Sequence, residues 1–115
     1  GEFRFNARIH SNNNGGILVE TRFPESGVWH ISDKPGYNRI PLDLPIFEGH
    51  IEDHLAVEIA GTEVDRLKSD DQLHTYRRVF TGPPDSWIGR YGPGDEEIDP
   101  ENVGNWRIWY EIEKV

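Results

Sequence analysis

The stretch Phe3-Arg4-Phe5-Asn6-Ala7-Arg8-Ile9-His10, then Ser11-Asn12-Asn13-Asn14-Gly15-Gly16, then Ile17-Leu18-Val19-Glu20-Thr21-Arg22-Phe23, decides the fold. Phe3, Phe5, Ala7 and Ile9 point one way, and Arg4, Asn6, Arg8 and His10 the other. Past the polar run, Ile17, Val19 and Phe23 share a face opposite Leu18, Glu20 and Arg22. Successive side chains leave opposite faces of a pleated backbone, so period-two alternation reads as two half-buried strands. The Asn/Gly cluster between them tolerates positive φ and reads as a hairpin loop.

Working outward, shorter strands follow at a spacing typical of all-β chains. Val28–Ser32 comes after the turn Pro24-Glu25-Ser26-Gly27. Residues 33–50 carry Pro35, Gly36, Pro41, Pro45 and Gly49 and read as loop with at most a short edge strand. His54–Ala60 sets Leu55, Val57 and Ile59 against its polar face, and Leu73–Thr81 and Ser86–Tyr91 read as further strands. Trp106–Val115 places Trp106, Ile108, Tyr110 and Ile112 on one face and Arg107, Trp109, Glu111 and Glu113 on the other. A short helical turn fits near Val64–Asp70. The expectation is an all-β chain, an antiparallel β-sandwich or jelly roll of about seven to eight strands.

The 115 residues suit one domain over 1–115. Gly1-Glu2-Phe3 has the form of a cloning remnant, which points to a domain excised from a larger protein. Hydrophobic residues make up 35% of the chain, so the core must rest on a few large side chains, Trp29, Trp87, Trp106, Trp109, Phe5, Phe23, Phe47 and Phe80. The net charge of −9 repels phosphate backbones and anionic headgroups, which argues against bare nucleic acid and bare membrane as partners. Without Cys there is no disulfide, thiolate zinc site or thiol catalysis, and such a chain is compatible with any compartment.

Carboxylates gather in two inter-strand loops. In the first, Glu63 and Asp65 stand two apart, and Asp70 and Asp71 return a few residues later. Ca²⁺ takes six to eight oxygen ligands, and a bent loop rich in carboxylates supplies them. This segment resembles C2 domains, an eight-stranded calcium-binding sandwich family. There a hydrophobic strand runs into Asp-x-Asp, five residues, Asp, and a second strand. Here Leu55-Ala56-Val57-Glu58-Ile59 is the strand, Glu63 and Asp65 take the first two places and Asp71 the third. Glu63 replaces the family's first Asp, and His74 stands near its usual Gly. The resemblance implies a Ca²⁺ site in a binding module. In the second loop, Asp95, Glu97 and Asp99 alternate, with Glu101 and Asn102 in reach. Asp95 and Asp99 are candidate ligands if the two loops meet, and a plain acidic turn is the alternative.

Two other constellations carry chemistry. Were His50-Ile51-Glu52-Asp53-His54 a strand, His50, Glu52 and His54 would share a face able to hold a transition metal. Trp87, Tyr91 and Trp109 near acids and Asn suit a sugar ring, whose C–H face stacks on an aromatic while acids accept from its hydroxyls. The alternative for these rings is a place in the core. No nucleophile elbow or phosphate-cradling glycine loop is present. The sequence therefore points to a non-catalytic binding module for carbohydrate or a protein partner. A structural or assembly domain and a metal-dependent enzyme are the rival classes.

Overall fold

A computed structural model describes residues 1–11, 16–32, 34–94 and 100–115, of which 16–18 are described by backbone alone. The described residues form eight strands: β1 (Glu2–Ser11), β2 (Gly16–Phe23), β3 (Trp29–His30), β4 (His54–Val64), β5 (Asp71–Gln72), β6 (Tyr76–Thr81), β7 (Gly89–Tyr91) and β8 (Tyr110–Ile112). All pairings are antiparallel. The all-β class expected from the alternation is the class observed.

Two long strands, β1 and β4, lie side by side at the centre. Each has an outer neighbour broken in two. Along β1, β2 pairs with residues 5–11 and β3 with Glu2 and Phe3. Along β4, β6 pairs with residues 54–59 and β5 with Thr62 and Glu63. The break between β2 and β3 holds Pro24, which has no N–H for a ladder. Register Phe5↔Gly61 explains the glycine in β4: a Cβ there would stand 2.7 Å from the Phe5 ring and 2.8 Å from Leu73.

The faces of this sheet follow the sequence pattern. Ala7, Ile9, Phe23, Leu55, Val57, Ile59, Tyr76 and Phe80 are buried on one side and form the core with Trp87. What covers them is not a broad second sheet among the described residues. It is the β7–β8 ribbon, a 3₁₀ turn at Pro84–Trp87, and irregular segments that contribute Ile46, Phe47, Ile51, Val103, Trp106 and Ile108. The other face carries a charge ladder across four strands. Arg8 reaches Glu20 at 3.3 Å and Glu58 at 4.0 Å, and Arg77 reaches Glu58 at 3.9 Å. Alternating signs on facing strands make this a face that water can wet without like-charge repulsion.

Several elements differ from the sequence reading. β4 runs four residues beyond Ala60, because Gly61 and Thr62 are buried and paired like the rest. The expected strand 73–81 begins only at Tyr76, and 86–91 starts as a 3₁₀ turn. Of 106–115, only Tyr110–Ile112 pairs as a strand, while Arg107 makes an isolated bridge to Asn102. Val64 ends β4, and residues 65–70 form a bend without helix.

Candidate functional site

The first acidic loop closes on itself. The Asp65 N–H donates to Asp70 Oδ1 at 3.0 Å, and the Leu67 N–H donates to Asp65 Oδ1 at 2.8 Å. Asp70 also lies 3.5 Å from Arg4, and Asp65 lies 4.0 Å from Lys68. Glu63 and Asp71 face each other across the β4–β5 ladder instead of joining that turn. Among the described residues no three His, Asp or Glu side chains converge on a common centre. Asp95 and Asp99 lie outside the described residues. The geometry makes Asp70 a turn-closing acceptor, a role short polar side chains fill in many loops. Asp70→Ala is expected to lower stability by about 1 kcal/mol, equally in calcium and in chelator. Urea titrations check it, and a loss confined to calcium would make Asp70 a ligand.

The expected face of His50, Glu52 and His54 is not formed. Residues 50–53 are irregular, so alternation does not apply to them; only His54 enters β4. The aromatic set also divides. Trp87 is 5% exposed, and its indole N–H donates to the Thr81 carbonyl at 2.9 Å. The Tyr91 ring stacks on Tyr110 and its hydroxyl donates to the Trp87 carbonyl. The core position of Trp87 and Tyr91 leaves Trp109 as the ring open to solvent, at 51%.

Trp109 follows from the ribbon's alternation. Tyr91, Tyr110 and Ile112 turn to the core, so Arg90, Trp109 and Glu111 turn outward. Gly92 lies under the indole, where any Cβ would collide with the ring. The Arg39 guanidinium lies over the ring, 4.8 Å from its centroid. Arg90 and Glu111 are paired at 3.9 Å on the same face. Near the N-terminus, Gly1, Glu2, His30, Ile31, Ser32 and Tyr37 line an open hollow of about 250 Å³. Most ligand sites occupy ~300–1,000 Å³.

Inside the molecule lies a polar constellation that the sequence reading missed. Tyr76, Arg78 and Phe80 alternate onto the core side of β6, which carries a guanidinium inward. Arg78 donates to Glu101 Oε1 at 2.6 Å, and the Tyr76 hydroxyl donates to the same oxygen at 3.0 Å. The Tyr76 and Tyr110 hydroxyls are 2.6 Å apart, and Arg78 lies 4.8 Å from the Tyr91 centroid. Glu101 is 2% exposed. One carboxylate thus ties the C-terminal segment and ribbon to β6. The signal was available: a charged residue on an inward register position demands a buried counter-charge.

Burial pushes the Tyr110 phenol up to about 12, with its Tyr76 bond lowering it and nearby Glu101 raising it. Burial also raises Tyr76, reinforced by its bonds to Tyr110 and Glu101. Unfolded phenols ionise near ~10. Above that pH the native state keeps protons that the unfolded state has lost, so stability present below ~10 declines as pH rises. A Tm series from pH 8 to 12 should fall in this range, with a shallower slope in Tyr110→Phe. An identical slope in the variant would put that phenol in water.

Together these features define a small antiparallel β-sheet chain with a buried ionic clamp on one side and an exposed aromatic–arginine stack outside it. Comparison with protein-family models, with curated proteins and with solved structures finds no match.

Proposed function

We propose that this chain is a non-catalytic binding module that engages a protein partner through the 34–50 loop and the outer face of the β7–β8 ribbon. The observation that carries the reading is the Arg39–Trp109 stack on Gly92. Trp and Arg dominate the residues whose truncation costs most at protein interfaces. The same loop exposes Tyr37, Leu42 and Leu44, and Ile88 is exposed where the chain enters β7. Exposed apolar side chains thus occur in both segments, and the Arg39–Trp109 contact joins the two. Leu67, Val79 and Val115 are exposed elsewhere, as single surface apolar residues ordinarily are.

Arg39 favours a protein over a carbohydrate, because it covers a Trp109 face on which a sugar ring would stack. The test is comparative capture from cells that make the protein, using the chain, a Leu42→Ser/Leu44→Ser/Trp109→Ala variant, and a Leu67→Ser control. The expected result is a protein retained by the first and third and lost by the second. Identical captures by all three would overturn the reading. A glycan-array signal that disappears with Trp109→Ala would replace the protein partner by a sugar.

A further inference from the structure

We propose a two-imidazole site for a transition-metal ion of the Zn²⁺ class on the charge-ladder face, formed by His10 of β1 and His54 of β4. Register pairs His10 with Ala56, so His54 stands two residues further along the same strand and on the same face. Such diagonal neighbours lie about 7–8 Å apart, within reach of two ring side chains. His10 Nε2 and His54 Nδ1 are both inaccessible to solvent and lack a hydrogen-bond partner. A buried polar atom without a partner is uncommon, and two on adjacent strands of one face call for a shared explanation.

Neutral imidazole nitrogen is the donor that Zn²⁺, Cu²⁺ and Ni²⁺ prefer, whereas Ca²⁺ takes oxygen. The nearby charges do not oppose a cation: Arg8 and Arg77 are matched by Glu20 and Glu58 in the next row. Two side chains are fewer than the four ligands of a closed structural zinc centre, so the pair supplies half of a tetrahedral coordination sphere. The site uses the opposite sheet face from the ribbon and stands apart from the proposed partner surface.

The test is titration of the chain with ZnCl₂, followed by long-range proton–nitrogen NMR of the imidazole rings. The expected result is a joint shift of His10 Nε2 and His54 Nδ1 that saturates with one equivalent. His10→Ala or His54→Ala should each weaken binding by about tenfold or more, a loss that removing even an outer-shell group can cause. His50→Ala and His74→Ala should leave it unchanged. No shift at millimolar Zn²⁺, or shifts at His30, His50 or His74 in place of this pair, would overturn the site. The wild-type spectrum decides even if a variant fails to fold.

Discussion

Arg78→Ala is expected to lower the unfolding free energy by about 3–5 kcal/mol, the range for breaking a buried ion pair from one side. The reason lies with the partner left behind. The Glu101 side chain is 3% exposed, and without Arg78 its charge keeps the Tyr76 hydroxyl as its one partner from the constellation. The variant also loses the guanidinium stack on Tyr91. Glu101→Ala should cost less, because the Arg78 side chain is 34% exposed and can turn its charge to water. Replacing both, Arg78→Met with Glu101→Leu, should recover much of the loss, since no charge is then stranded. Urea denaturation of the three variants measures this ordering. An Arg78→Ala loss below about 1 kcal/mol, the scale of an exposed pair, would mean that the clamp does not hold.

Trp87→Ala is the second large effect, expected at about 3–5 kcal/mol for truncating a buried Trp. Trp87 packs on Phe80 with ring centroids 6.0 Å apart and satisfies the Thr81 carbonyl. Truncation opens a hole between β6 and the ribbon and leaves that carbonyl without its indole donor. Trp87→Phe should fall between the two, filling part of the space while still losing the hydrogen bond. Thermal unfolding of both checks the order, and a Trp87→Ala Tm equal to wild type would place the indole at the surface.

Much of the fold could be read from the β1–β2 alternation, because one buried face prescribes a side for every residue in two strands. The face of Trp106, Ile108, Tyr110 and Ile112 was legible for the same reason, although most of that segment pairs with no strand. What alternation does not carry is termination. The outer strands stop where Pro24 and the His74–Thr75 segment interrupt pairing, and both breaks lie beside the Phe5–Gly61 pair within the central strands, which stay paired beyond it.

The candidate site was less legible, because it is made of contacts distant in sequence. Arg78 and Glu101 are 23 residues apart, and Glu101 drew notice only as part of an acidic run. Alternation over 106–115 sets Trp109 on the outward face, where it is exposed, but the count of aromatics also assigns it to the core, and the sequence does not tell Trp87 apart from it. The difference lies in the Thr81 carbonyl and the Phe80 ring, which fold beside Trp87 through the Gly82–Pro83 turn. The acidic loop at 63–71 shows the limit of spacing: the same Asp positions that suit a cation also suit the closing of a turn.

The affinity of the captured partner tests most directly whether the Arg39–Trp109 surface binds a protein. Calorimetric titration of that partner into wild type and Trp109→Ala should show a loss of about thirtyfold or more, the roughly 2 kcal/mol of an interface hot spot. Trp109 is half-exposed, so the Tm should fall far less than in Trp87→Ala. An affinity within about threefold of wild type, on the scale of an energetically neutral contact, would contradict the account.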